Sequence, residues 1–196
     1  MKKSVIILIV LAILAVAFYS FFRSTYNTMV MNDEAVAAQW AQVENVYQRR
    51  ADLIPNLVNT VKGFAAQEQE VLTAVVEARA KATSVNVNAD NLTEGNLQAF
   101  QQAQEGLSGA LSRLMVVVER YPELKSNQNF LELQAQLEGT ENRIAVERMK
   151  FNETTRIYNT FIRSFPQTMI ASMSGFESKP YFEAVQGADT VPTVEF

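Results

Sequence analysis

The sequence predicts an all-α protein in which an N-terminal transmembrane helix leads into a long antiparallel four-helix bundle and an irregular C-terminal tail. The chain opens with an unbroken apolar run, from Ser4 to Phe22. Most of the remaining chain carries apolar residues at alternating steps of three and four, the period of a helix packed against other helices. Glycine and proline number only 7 and 5 in 196 residues, so few points can interrupt those helices. We therefore expect an anchor at 1–24, a helical bundle at 25–166, and a tail at 167–196 that packs on the bundle or is used in assembly.

The composition excludes several kinds of functional site. The chain has no cysteine and no histidine, which rules out disulfides, thiol nucleophiles, zinc–thiolate sites and the Glu-x-x-His di-iron centre of helix bundles. Its acidic residues are scattered, so we expect no metal site, no cofactor and no small-molecule substrate. The net charge of −4 argues against a nucleic-acid partner, because no basic face is large enough to neutralise several phosphates.

The apolar run has the length of a membrane-spanning helix, since ~1.5 Å per residue carries it across a hydrocarbon core about 30 Å thick. Its charged start and the small residues Ala15 to Ala17 are also typical of a cleavable signal peptide. The run continues, however, into an aromatic cluster from Phe18 to Phe22, which suits the interfacial end of a retained helix. We expect a retained single-pass anchor, and the lack of cysteine excludes a lipid-modified one.

The charges that flank the span predict its orientation. Lys2 and Lys3 precede it, whereas Arg23 on the other side is followed by Asp33 and Glu34. The positive-inside rule then places the N-terminus in the cytoplasm and the bundle outside it.

The stretch from Tyr47 to Phe64 is the most informative part of the bundle, because it carries two stripes on opposite sides of one helix. The apolar stripe is Tyr47, Ala51, Ile54, Val58 and Val61. The polar stripe is Asn45, Arg49, Asp52, Asn56 and Asn59. It is rich in amides, whereas a merely solvated face usually carries Lys and Glu. It is either solvated or a surface for another helix, another copy or another protein.

The helical rhythm continues from Tyr26 to about Lys81, and no glycine or proline separates the anchor from Trp40. We expect the first bundle helix to grow out of the membrane as a stiff stalk. A single helix to Lys81 would be about 80 Å long, so the chain must kink or turn back at Pro55 or Gly63. We expect a reversal between those two residues.

Two further helices come after a loop that is dense in Asn and Asp. Thr93, in the sequence Asn91-Leu-Thr93, is expected to cap a helix from Glu94 to Arg120 rather than to mark a glycosylation site. Gly106 and Gly109 within it are expected to let another helix approach closely.

The last long helix is expected from Ser126 or Asn127 to Phe165, after the break at Tyr121-Pro122. Its apolar seam is Phe130, Leu133, Leu137, Ile144, Phe151, Tyr158, Ile162 and Phe165. A polar line beside that seam consists of Glu141, Asn142, Arg148, Asn152 and Asn159. This line is either a solvated rim or a structural network with Arg50 and its neighbours that fixes helix order.

The tail keeps four large apolar residues in a turn-rich setting: Ile170, Phe176, Tyr181 and Phe182. It is interpreted as packed back on the bundle or as a docking peptide. The final stretch, Thr190 to Phe196, alternates like a short strand, but no second strand is evident. It is expected to pack or be disordered within its own subunit, and the alternative is pairing with an edge from another chain.

The string Arg49-Arg-Ala-Asp-Leu-Ile-Pro-Asn-Leu-Val58 closely resembles the hallmark of the LemA family. Other segments in family order resemble its remaining signatures: Tyr26-Asn27, Tyr121 to Lys125, Asn129 to Leu131, Thr140 to Ala145 and Tyr158-Asn159. The resemblance implies a bacterial single-pass membrane protein with a helical-bundle domain and no known catalytic residues.

The sequence supports three functional hypotheses. The first is a non-enzymatic scaffold that self-associates and presents an interaction surface at the membrane. The second is a sensor or adaptor for another membrane protein, such as the membrane metalloprotease that the resemblance suggests. The third is an enzyme, which the sequence disfavours because it contains no nucleophile elbow and no glycine-rich phosphate loop.

Overall fold

A computed structural model describes residues 3–183, and these residues are all-helical. Within them are six α-helices and one 3-10 turn, Ala89–Asn91. The helices are α1 Lys3–Phe64, α2 Gln69–Ser84, α3 Glu94–Val118, α4 Pro122–Lys125, α5 Gln128–Arg163 and α6 Gln167–Ser174. The all-α class is confirmed. The strand-like stretch at residues 190–196 lies outside the described residues.

Helix α1 is one continuous helix of 62 residues, roughly 90 Å long at 1.5 Å per residue. Its N-terminal part contains an 18-residue window with a mean hydropathy of 3.0, and none of that window is buried. Among residues 3–183, α1 is the one helix that is long and apolar enough to cross a membrane. The bundle part buries the predicted apolar stripe, with Val58 half-buried and the other four members buried. The prediction that no break separates the apolar run from the first bundle helix is confirmed.

The predicted reversal between Pro55 and Gly63 is wrong in position. Helix α1 continues through both residues, and the chain turns at 65–68 before α2 begins. Proline has no backbone N–H, so the carbonyl of Ala51, four residues earlier, loses its helical partner. The Nε of Arg79 on α2 donates to this carbonyl at 2.7 Å and so replaces the missing hydrogen bond. A side chain from the next helix thereby lets the proline stay inside α1.

This replacement predicts a coupling between Arg79 and Pro55. Arg79→Ala should lower the free energy of unfolding by about 1.5 kcal/mol, because it leaves the carbonyl of the buried Ala51 without a partner. In a Pro55→Ala background the restored N–H can bond that carbonyl, so the same change should cost about half as much or less. Urea unfolding of the four chains in the cycle measures the coupling. Equal costs in both backgrounds would contradict it.

The long helices meet along two apolar clusters. Helix α1 packs along α5 and α2, and α2 packs along α3. The cluster nearer the anchor includes Met29, Val36, Trp40, Val43, Tyr47, Phe100, Ile144, Phe151, Tyr158, Ile162 and Ile170. The cluster further from the anchor includes Ile54, Leu57, Val61, Leu72, Val75, Leu107, Leu114, Leu124, Phe130 and Leu137. The boundary between them crosses α1 after Tyr47, α3 after Phe100 and α5 before Ile144.

Local signals set the ends of the later helices. The Thr93 hydroxyl accepts from the backbone N–H of Asn96 at 3.3 Å, and the Asn127 side chain accepts from that of Phe130 at 3.1 Å. Both caps were predicted and are confirmed. Pro122 occupies the first turn of α4, where a missing N–H carries no penalty.

Two expectations for the C-terminal part are corrected. The tail was predicted to be irregular from residue 167, but it begins with α6, which the left-handed Gly175 ends at φ 77°. Phe165 was assigned to the inward seam of α5, but α5 ends at Arg163 and the Phe165 side chain is 81% exposed. The chain leaves the helix before the seam would bring that residue inward.

Candidate functional site

A buried arginine lies at the boundary between the two apolar clusters. Arg50 on α1 is 1% exposed, and its Nη1 donates to Glu141 of α5 at 2.6 Å and to the Ser108 hydroxyl of α3 at 2.9 Å. Its Nη2 donates to the side-chain oxygen of Gln104 at 2.6 Å. Gln104 in turn donates to the Ala82 carbonyl of α2 at 3.2 Å. A single guanidinium therefore connects all four long helices.

One carboxylate, that of Glu141, balances the positive charge of Arg50. The Glu141 side chain is 45% exposed, whereas that of Arg50 is 2% exposed, so the pair joins a buried cation to a carboxylate at the rim. The guanidinium also lies over the Tyr47 ring, 5.2 Å from its centroid. Burial raises the pKa of the Tyr47 phenol, against the lowering effect of Arg148 and Arg50. The Nε of Arg50 has no acceptor among the described residues. The other N–H groups of Arg50 have acceptors. The ion pair of Arg50 with Glu141 can therefore fix the register of α1 against α5.

A second polar group of residues binds the tail. Asn152 and Asn159 lie two helical turns apart on α5, and each side chain both donates to and accepts from one residue of the tail backbone. Asn159 bonds the carbonyl and N–H of Lys179 at 2.8 and 2.9 Å. Asn152 bonds those of Phe182 at 3.0 and 2.8 Å. These contacts hold residues 177–183 along the outside of the bundle, and we call the pair the amide clamps.

Other side chains extend this tail contact. Arg148 donates to the Glu183 carbonyl at 2.8 Å and places its guanidinium 4.8 Å from the centre of the Phe182 ring. Gln101 of α3 donates to the same carbonyl at 3.2 Å, and Tyr158 donates to the Glu177 carbonyl at 2.9 Å. Because these bonds go to backbone atoms, they would form with many sequences.

Phe182 supplies the side-chain specificity of the tail contact. It is 5% exposed and stacks on Trp40, with ring centroids 5.9 Å apart and planes at 19°. Phe151 meets it edge-on at 5.4 Å. The Trp40 indole N–H donates to the Val87 carbonyl at 2.7 Å, which fixes the ring. The tail is thus held by backbone clamps and one aromatic anchor.

The predicted network residues divide into those that the structure brings together and those that it leaves apart. Arg50 and Glu141 meet directly, while Arg148, Asn152 and Asn159 meet the tail instead. Asn142 is exposed. Arg49 and Asp52 face outward from α1, so of the neighbouring pair of arginines only Arg50 reaches the interior.

The predicted interaction residues all lie on the surface. The polar stripe of α1 is exposed along its length: Asn45, Arg49, Asp52, Asn56 and Asn59. Gly106 and Gly109 are also exposed, and a Cβ added at either would meet nothing within 4 Å. The described part of this chain therefore places no helix against them. The close approach of another helix at these glycines stays a prediction.

Sequence reasoning missed Gln101, Gln104 and Ser108. They recur at steps of three and four on α3, and the two glutamines are 9% and 8% exposed. The spacing of these residues beside the apolar seam could have indicated a buried polar network, because buried glutamines must find hydrogen-bond partners. The network was not predicted, since glutamine is usually a surface residue.

The polar side chains of this site make contacts between helices and with the tail. Within residues 3–183 no three acidic side chains come together in a way that could hold a metal ion. The buried polar groups described above bond one another or the tail backbone. In a comparison with known protein families, the profile described as LemA family matches residues 39–196.

The chain belongs to the LemA family. The matched region covers the tail and the bundle from residue 39 onwards, and it begins after the apolar N-terminal part of α1. Among the relatives is magnetosome protein MamQ 2 of Paramagnetospirillum magneticum, 29% identical over 93% of this chain and 74% of its own length. MamQ of Magnetospirillum gryphiswaldense is 28% identical over 89% of this chain and 71% of its own length. Protein LemA of Metamycoplasma hominis is 19% identical over 85% of this chain and 73% of its own length. None of these names describes an enzyme.

Proposed function

We propose that this LemA-family chain is a non-enzymatic, membrane-anchored helical scaffold that self-associates and presents an interaction surface at a bacterial membrane. The observation that carries the proposal is the continuity of α1 from the apolar run to the far end of the bundle. A helix without a break transmits the position and tilt of its membrane span to the domain that it supports. The domain is then a rigid body held at a set height above the bilayer.

The domain organisation fits this function. In the proposed arrangement residues 1–24 anchor the chain, and α1, α2, α3 and α5 form an antiparallel four-helix bundle within residues 25–166. Lys2 and Lys3 keep the N-terminus in the cytoplasm, so the bundle lies outside it. The tail packs on this bundle through the amide clamps.

Self-association is assigned to the exposed polar stripe of α1. Its amides, together with Arg49 and Asp52, can bond a second copy of the same surface, as a two-fold interface requires. Copies anchored in one membrane share orientation and height, which raises their effective concentration. The relatives named magnetosome proteins are compatible with an assembly role at a membrane, because their names specify a place and no reaction.

Chemical cross-linking in native membranes tests this proposal. Wild-type chain should give a ladder of dimers and larger species, and Arg49→Ala with Asp52→Ala should reduce the cross-linked fraction several-fold. The matched control is Glu153→Ala with Arg156→Ala, which removes one exposed acidic and one exposed basic residue from α5. A wild-type chain that stays monomeric at every accessible density would remove the self-association proposal.

The second candidate function is an adaptor for another membrane protein, for which the same exposed stripe is the docking face. It predicts a different outcome from the same variant. Ladders of copies would persist, while a co-purifying membrane protein, such as a metalloprotease, would be lost in a pull-down. Unchanged co-purification would remove the stripe as a docking face.

A further inference from the structure

Three large apolar side chains near the end of the bundle are mostly exposed in the described part of the chain. Phe165, Met169 and Met173 are 81%, 59% and 79% exposed and follow one another at steps of four. Phe165 and Met173 are the most exposed large hydrophobic residues described, exceeding those of the membrane span itself. Exposed apolar groups gathered on one edge of a soluble domain usually mark a contact surface.

The opposite side of α6 is firmly packed on the bundle. Ile170 and Ala171 are 6% and 4% exposed and belong to the apolar cluster that contains Met29 of α1. Helix α6 therefore cannot turn to bury the methionines without giving up its own core contacts. The exposed edge is a property of the folded domain.

The exposed edge lies next to the end of the membrane span, as two contacts of α1 indicate. Phe22, the last residue of the apolar run, packs against the cluster that includes Ile170 and Ala171. One turn further along α1, the Tyr26 ring meets the Phe176 ring edge-on at 5.7 Å. Tyr26 lies only about 6 Å along the helix axis from Phe22. Helix α6 is thus level with the end of the membrane span, where hydrocarbon gives way to headgroups.

The flanking residues suit the same boundary. Helix α5 runs towards the anchor and ends at Arg163, and Phe165 lies in the turn immediately after it. Arg163 and Arg23 are both exposed at this end, where guanidinium groups can bind lipid phosphates. Apolar side chains beside basic ones are typical of elements that lie in the membrane interface.

We propose that Phe165, Met169 and Met173 form a membrane-contact edge that inserts into the headgroup region of the bilayer that α1 spans. The contact gives the bundle a second attachment point in addition to the anchor. A single helix leaves a domain free to turn about its axis, whereas two attachments fix which side of the bundle faces the lipid. The inference requires only a retained anchor and is independent of self-association.

The test uses the full-length chain in phosphatidylcholine–phosphatidylglycerol liposomes. The protein has no cysteine, so a single Met173→Cys change gives one site for an environment-sensitive NBD label. The matched control is Met149→Cys, a methionine that is 66% exposed on α5. It lies about 21 Å along that helix from Arg163, further from the anchor. Flotation and circular dichroism first establish that both labelled chains are inserted and helical.

We expect the label at position 173 to emit at shorter wavelength than the label at 149. Lipids with a nitroxide at a shallow acyl position should quench its fluorescence at least two-fold more strongly. Equal emission and equal quenching at the two sites would overturn the proposal. A blue shift at 173 without lipid quenching would also overturn it, because another protein or a second copy would then cover the edge.

Discussion

Replacing Glu141 with alanine is expected to lower the free energy of unfolding by about 3 kcal/mol. The change leaves Arg50 with its hydrogen bonds to Ser108 and Gln104 but removes its only carboxylate partner among the described residues. A cation that is 1% exposed would then lie between two apolar clusters without a counter-charge. Urea unfolding of the detergent-solubilised chain, followed by circular dichroism, measures the loss.

Glu153 provides a closely matched control on the same helix. Its ion pair with Arg156 has the same 2.6 Å separation as that of Arg50 with Glu141, but both of its side chains are more than half exposed. Glu153→Ala should therefore cost under about 0.5 kcal/mol. Arg50→Met removes the buried charge and keeps much of the volume, so a subsequent Glu141→Ala should cost under about 1 kcal/mol. A loss at Glu141 no larger than that at Glu153 would refute the argument from burial.

Changing both amide clamps, Asn152→Ala with Asn159→Ala, is expected to release the tail from the bundle. Four hydrogen bonds to the backbone of Lys179 and Phe182 disappear, which leaves the Phe182 ring and the hydrogen bonds at the two ends of the segment to hold it. Amide exchange over residues 177–183 should accelerate on the order of 100-fold. Hydrogen-exchange mass spectrometry reports this local change separately from global unfolding.

The single tryptophan gives a second readout of the same event. Trp40 is stacked against Phe182, so release of the tail should shift its emission to longer wavelength and increase quenching by acrylamide. Asn142→Ala is the control, because Asn142 is an exposed asparagine of α5. Exchange and emission that stay at wild-type values in the double variant would show that the aromatic anchor and the remaining hydrogen bonds suffice without the clamps.

The helical segments and their inward faces could be predicted because they depend on local periodicity. The three-four spacing of Tyr47, Ala51 and Ile54 specifies a buried face whatever the partner helix is. Thr93 and Asn127 specify helix starts through bonds that span three residues. The membrane span is likewise a property of a contiguous segment. The family resemblance added the bundle class, and the profile match bears out the family.

The position of the first turn was beyond sequence reasoning, since it depends on a residue in another helix. Pro55 predicts a break when α1 is considered alone, because one carbonyl loses its donor. Arg79 restores the bond from 28 positions along the chain, and this contact exists only once α2 has folded back. The exposure of Phe165 has a similar origin, because α5 ends two residues before it.

The candidate site shows the same division between local pattern and tertiary contact. The sequence by itself determined an all-helical chain with an apolar N-terminal run, its buried seams, and a polar line on α5 that includes Glu141 and Asn152. Only the tertiary structure decided that Arg50 turns inward while Arg49 turns outward, and that Asn152 and Asn159 bind the tail and not another helix. The physical reason is that helical periodicity states which side chains share a face. The partner of a polar group is set by whichever donor or acceptor the folded chain brings within about 3 Å of it.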